Sequence, residues 1–141
     1  MLAYMHRRVL VGIAAACVAL VLGGAADAAV IARGTLVSIG GEPAAGVATL
    51  AMRPDGARTL TFTKSAIGPG PALHIYLVAG TVNTSSDVKV FKDLGRLKRT
   101  TGTQSYSIPR GLDTRRFRTA VVWCADFNVA FGKALLTQVK R

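Results

Sequence analysis

The triplet Pro54-Asp55-Gly56 stands between two segments that alternate apolar and polar residues, and this arrangement restricts the fold more than any other feature of the chain. Proline presets a turn backbone, aspartate bonds to the chain two residues on, and glycine takes the positive φ that closes the turn. Before it, residues 45–52 place Ala48, Leu50 and Met52 on one face. After it, residues 59–63 put Leu60 and Phe62 inward and three threonines outward. Period-two alternation on both sides of such a turn predicts an antiparallel hairpin.

The same punctuation runs through the rest of the chain. "GTLVSIG" (34–40) is short and bounded by glycines, and "IGPGP" (67–71) breaks the chain before "ALHIYLVAG" (72–80). That segment and "RTAVVWCAD" (118–126) are apolar on both faces, as expected of central strands. "TGTQSYSIP" (101–109) alternates with Tyr106 and Ile108 on one side, residues 88–98 give at most a short edge strand, and residues 129–139 form the last strand. "GLDTRRF" (111–117) is a turn, or one helical turn capped by Asp113. The pattern predicts an all-β domain, an antiparallel β-sandwich or flattened barrel of about eight short strands.

The N-terminus differs in kind. Arg7-Arg8 precede the apolar run Val9–Leu22, and Ala26-Asp27-Ala28 follows with the small-x-small pattern of a cleavage site. As a helix the run spans about 21 Å, short of the roughly 30 Å hydrocarbon core of a bilayer. Residues 1–28 read as a secretory signal peptide, leaving one domain over residues 29–141 with no transmembrane segment, periplasmic or secreted. Lipidation at Cys17 and a twin-arginine signal at Arg7-Arg8 are the alternatives, although the apolar run continues past that cysteine and two basic residues are the normal start of a leader. The full chain carries 18 Lys and Arg against 7 Asp and Glu, a net +11. Losing Arg7, Arg8 and Asp27 with the leader leaves +10. It also leaves Cys124 as the sole cysteine, so no intrachain disulfide can form and stability must come from packing.

Cys124 and His74 are the candidate site residues. Alternation puts Cys124 with Ala120 and Val122, opposite Trp123, and Asp126 follows on the same nominal face. Two readings stand: a buried inert thiol, or a redox centre or ligand to a prosthetic group, which requires access. His74, beside Tyr76 and Val78, is either a half-buried histidine bonded to a backbone carbonyl or a second ligand or base beside Cys124. His74, Cys124 and Met52 fall one histidine short of a blue-copper set, and zinc lacks its four Cys and His ligands, so no metal site is expected. Without Cys-x-x-Cys-His, haem is not attached covalently by the usual route. A cysteine hydrolase using Cys124, His74 and Asn128 has no supporting spacing.

Basic residues gather as Arg96, Lys98, Arg99, Arg110, Arg115, Arg116 and Arg118. Without interleaved aromatics, and in an exported chain, they do not suggest nucleic acid. They are a solvated face, or a docking face for an acidic redox partner or an anionic surface.

Three blocks carry a resemblance: "IGPGPALHIYLV" (67–78), "DLGRLKRTTGTQSYSIP" (93–109) and "AVVWCADFNVAFGKALL" (120–136). In order and spacing they resemble the electron-transfer DM-thirteen domain family, with His74, Gln104, Tyr106, Trp123 and Cys124 all at matching positions. With the upstream strands the resemblance covers most of residues 34–136. It implies a β-sandwich related to DOMON domains. It also implies a redox role for Cys124, either as a bare thiol or as a ligand to a group such as haem. The chain departs from the pattern at Ala72, where the family usually has an acidic residue or similar, and at Ala125, where Arg or Lys is common. No cation therefore flanks Cys124 in sequence. The rival expectation is a structural or adhesive extracytoplasmic module that binds an anionic surface or protein, with Cys124 as core.

Overall fold

A computed structural model of the protein describes residues 27–140. The expected signal peptide, save its last two residues, and Cys17 lie outside the described residues. The chain runs through β1 (Ala29–Ser38), β2 (Ala44–Met52), β3 (Arg58–Ile67), β4 (Leu73–Val78), a 3-10 turn (Ser85–Asp87), β5 (Phe91–Arg96), β6 (Thr101–Ile108), β7 (Thr119–Cys124), β8 (Val129–Leu135) and β9 (Thr137–Gln138). Eight strands follow one hydrogen-bonded path, β5-β4-β7-β8-β1-β2-β3-β6, every pairing antiparallel, and β9 adds to β1. The fold is all-β, a flattened and nearly closed barrel, with no α-helix among the described residues. No described helix is long and apolar enough to cross a membrane.

The predicted hairpin is β2–β3. Arg53 N–H donates to Ala57 C=O at 2.8 Å across the turn, and Ala57 N–H donates to the Asp55 carboxylate at 2.9 Å. Ala48, Leu50, Leu60 and Phe62 all face the core and are fully buried. Each such large side chain contributes about 1.5–3 kcal/mol through loss of apolar surface from water.

One strand joins the two halves of the barrel. β1 pairs with β2 from Ala29 to Leu36, then Val37 and Ser38 pair with β8. Gly34 sits between the β9 and β8 contacts, where a Cβ would lie 2.3 Å from the Leu135 carbonyl oxygen. Glycine is required there by close backbone approach. The predicted last strand divides for the same reason: β8 ends at Leu135, Leu136 N–H bonds back to Arg118 C=O at 2.7 Å, and Thr137–Gln138 crosses to Ala32–Arg33.

The two-faced character of β4 and β7 has a clear cause. One face of this pair (Leu73, Ile75, Leu77; Ala120, Val122, Cys124) fills the barrel interior. The other (Tyr76, Val78; Val121, Trp123) forms a second small core beneath the loop carrying Val82 and Val88. Asp87 shapes that loop by accepting the backbone N–H groups of Asn83 at 2.8 Å and Thr84 at 2.9 Å. These bonds hold its carboxyl below the usual carboxylate range.

The barrel's open seam lies between the edge strands β5 and β6. Side chains latch it. Gln104 Oε1 accepts the backbone N–H groups of Lys98 and Arg99 at 3.1 and 3.2 Å, and Gln104 Nε2 donates to Arg99 C=O at 2.7 Å. The Tyr106 hydroxyl donates to Gln104 Oε1 at 2.7 Å and itself accepts from Lys98 N–H at 3.0 Å. A buried amide thus replaces the missing ladder as the chain crosses from one sheet to the other.

Candidate functional site

Cys124 ends β7, with Leu73 and Val129 as its neighbours in register. Its side chain belongs to the barrel core and has no exposed surface. Sγ donates to the Pro71 carbonyl oxygen at 3.1 Å, so the thiol is buried but not purely apolar in its surroundings. Pro71 itself is exposed. The thiol therefore lies one residue below the molecular surface, under the strap Gly68–Ala72.

The sequence of the strap explains its path. Gly70 passes so close to Phe131 that a Cβ would lie 2.8 Å from the ring, and a Cβ on Gly68 would lie 2.9 Å from Pro43. Ala72 takes a positive φ of 50°, a conformation that costs a non-glycine residue roughly 1–2 kcal/mol. Its carbonyl accepts Ala125 N–H at 3.0 Å, tying the strap to the residue after the cysteine. A groove lies on each side of the strap. One, of about 310 Å³, is lined by Pro69, Pro71, Phe127, Val129 and Phe131. The other, of about 260 Å³, is lined by Gly70, Ala72, Arg96, Lys98 and Arg99.

His74 occupies the other face of the sheet. Its Cα partner is Trp123, whereas that of Leu73 is Cys124, so His74 and Cys124 look out of opposite faces. They form no nucleophile–base pair and no ligand pair. The expected backbone carbonyl partner is replaced by a carboxylate: His74 Nδ1 lies 2.9 Å from Asp93 Oδ2 and 3.2 Å from Oδ1. The register shift between His74 and Tyr76 in the β4–β5 pairing brings Asp93 across to it, and no residue spacing in the sequence reveals that shift. Asn128, at φ 51°, belongs to the exposed turn after Cys124. Asp126 is exposed in the same turn. No group of three or more His, Cys, Asp or Glu able to hold a metal occurs among the described residues.

A haem iron does not fit at Cys124. Sγ has no exposed surface and Cys124 lines neither groove beside the strap, and His74 is on the wrong face to serve as a second ligand.

The basic residues divide. Arg96, Lys98 and Arg99 border the groove beside the strap, at the Cys124 end of β7. Arg118 precedes the other end of that strand and, with Arg115, lines a groove against Leu135 and Gln138. Arg116 C=O accepts Gly80 N–H at 3.0 Å beyond the far end of β4, and Arg110 reaches the Asp55 carbonyl at 2.9 Å near the hairpin turn. Proximity in sequence across residues 96–118 therefore does not produce one basic face.

Residue-type reasoning also missed an aromatic row on the outer face. Tyr76 stacks on Phe91 with ring centroids 4.2 Å apart and planes 5° from parallel, and on Trp123 at 5.8 Å and 21°. The signal for it was the apolar outer face of both β4 and β7.

Comparison with known families matches residues 39–136 to Electron transfer DM13. No curated protein and no solved structure matches the chain.

Proposed function

This chain belongs to the electron transfer DM13 family, and on that premise we propose that it is an exported electron-transfer protein whose redox centre is the Cys124 thiol. The observation that carries the reading is the bond from Sγ to the carbonyl of an exposed residue, Pro71. An oxidisable group is kept from bulk solvent yet lies beneath a short segment flanked by two grooves. Reactive cysteines need access, and displacement of Gly68–Ala72 would supply it without unfolding the barrel. The strap's positive φ at Ala72 lowers the cost of that displacement.

Cys124→Ala and Cys124→Ser test the reading. Protein-film voltammetry is expected to show a wave for the wild-type protein that both variants lose. Both are expected to keep a β-type circular dichroism spectrum. Serine can still donate to Pro71 C=O, and alanine gives up that one weak bond at an exposed residue, so each substitution is expected to cost about 1–2 kcal/mol. A wave retained in both variants would remove Cys124 as the centre. Complete burial of the thiol is the observation that favours a structural or adhesive module. In that case wild type shows no wave, and the substitutions change stability alone.

Export rests on Arg7-Arg8, the Val9–Leu22 run and Ala26-Asp27-Ala28. Intact-mass analysis of protein recovered from producing cells is expected to place the N-terminus at Ala29. A mass that retains residues 1–28 would refute export by this signal, and a diacylated Cys17 would make the protein a lipoprotein.

A further inference from the structure

The aromatic row crosses three neighbouring strands in order. Trp123 is on β7, Tyr76 on β4 and Phe91 on the edge strand β5. Tyr76 faces Val121 in register and Asp93 on its other side, so Trp123 and Phe91 are its diagonal neighbours on one face. The row therefore begins at the residue bonded to Cys124 and ends at a ring that is 44% exposed.

Stacking of this kind adds about 0.5–1.5 kcal/mol per pair beyond area burial, which alone would account for it as packing. Its composition and place say more. Indole and phenol are, with thiols, the side chains most readily oxidised by one electron. The chain has a single tryptophan, and it is stacked on a tyrosine outside the barrel core. Tyr106, the other described tyrosine, lies in the opposite sheet with its ring edge-on to Phe62 and its hydroxyl committed to Gln104. Tyr76 and Trp123 remain 8% and 9% exposed, and among the described residues no side-chain polar atom is buried without a hydrogen-bond partner, while Phe91 stacks on the phenol ring.

We propose that Trp123 and Tyr76 form a one-electron relay across the outer face of the sheet, carrying charge between the neighbourhood of Cys124 and the surface at Phe91. The relay deepens the electron-transfer reading and rests on it. In the step itself, a one-electron oxidant takes an electron from the Trp123 indole, whose N–H proton passes to water, and the oxidant is reduced. Tyr76 then gives one electron to the tryptophanyl radical. Its phenolic proton goes to water, the indole nitrogen regains a proton from water, and a tyrosyl radical is left at the surface end. Phe91 is not oxidised; it shields the phenoxyl ring.

Pulse radiolysis of the full chain with azide radical, a one-electron oxidant that becomes azide anion, tests the relay. The tryptophanyl absorption is expected to decay in a first-order phase, independent of protein concentration, matched by growth of tyrosyl absorption. Tyr76→Phe is expected to abolish that matched growth, and Tyr106→Phe to keep it. Circular dichroism confirms that both variants are folded. Unchanged first-order tyrosyl growth in Tyr76→Phe, or its absence in folded wild-type protein, would overturn the relay. Cys124→Ala separates the two proposals, since Trp123-to-Tyr76 transfer needs only the two rings and is expected to survive. Loss of transfer in folded Cys124→Ala would overturn a relay made of the two rings. Transfer without a Cys124 voltammetric wave supports the relay and removes the thiol as redox centre; a wave without transfer does the reverse.

Discussion

Gln104→Leu is expected to destabilise the protein by about 3 kcal/mol, because it removes a partner from several backbone and side-chain groups at once. Leucine has nearly the same volume but leaves the N–H groups of Lys98 and Arg99, the Arg99 carbonyl and the Tyr106 hydroxyl without their shared amide. An unsatisfied buried group costs about 1–3 kcal/mol. Lys98 and Arg99 are exposed, so water recovers part of the loss. Tyr106→Phe removes only the hydroxyl and its two bonds and is expected to cost about 1 kcal/mol. Urea denaturation of both variants checks the ranking. A cost for Gln104→Leu no greater than that for Tyr106→Phe would mean that the amide does not hold the seam. The latch also has a pH signature. Burial pushes the Tyr106 hydroxyl above its ordinary value of 10.0. The unfolded chain then releases this proton first as pH rises, so the contribution is complete below about pH 10 and is lost as pH climbs through the raised value.

Gly34→Ala is expected to cost about 3 kcal/mol, the upper end of ordinary overpacking. The added Cβ would meet the Leu135 carbonyl oxygen at 2.3 Å and the carbonyl carbon at 2.8 Å. Both are backbone atoms at the β8–β9 break, so no rotamer change relieves the contact. β1 would have to withdraw from one of the two sheets it joins. For a domain of this size the melting temperature is expected to fall by on the order of 10–20 °C. Calorimetry showing a shift within a degree or two of wild type would indicate that β1 moves freely at this point and does not bind the two halves together.

The fold was legible where local chemistry and long-range structure agree. Pro54-Asp55-Gly56 announced its hairpin, and the apolar faces of β4 and β7 announced central strands because both sides of those strands are in fact covered. Gln104 and Tyr106 stood out as uncommon residues in an alternating strand. Their role did not, since it depends on the chain returning past them at residues 98–99. The site was less legible. Alternation placed Cys124 and Trp123 on opposite faces correctly, and the same rule put His74 with Tyr76. What it could not supply was the relation between strands: the pairing of Leu73 with Cys124 puts His74 on the reverse side, and the register shift beside it delivers Asp93. The division of the basic run was hidden for a similar reason, because a chain that reverses direction between residues 96 and 118 sends neighbours in sequence to different ends.

The carbonyl of Pro71 also makes Cys124 a timer. Where opening and reclosing of the strap outpace the reagent, the rate of thiol modification equals the intrinsic rate multiplied by the fraction of molecules with the strap lifted. An opening free energy of about 4 kcal/mol would slow labelling by about a thousandfold. Where lifting of the strap is the route to the thiol, the ratio of labelling rates for folded and unfolded protein measures a local equilibrium at one end of the barrel. A ligand seated in either groove that held Gly68–Ala72 down would register as slower labelling, long before any melting curve moved.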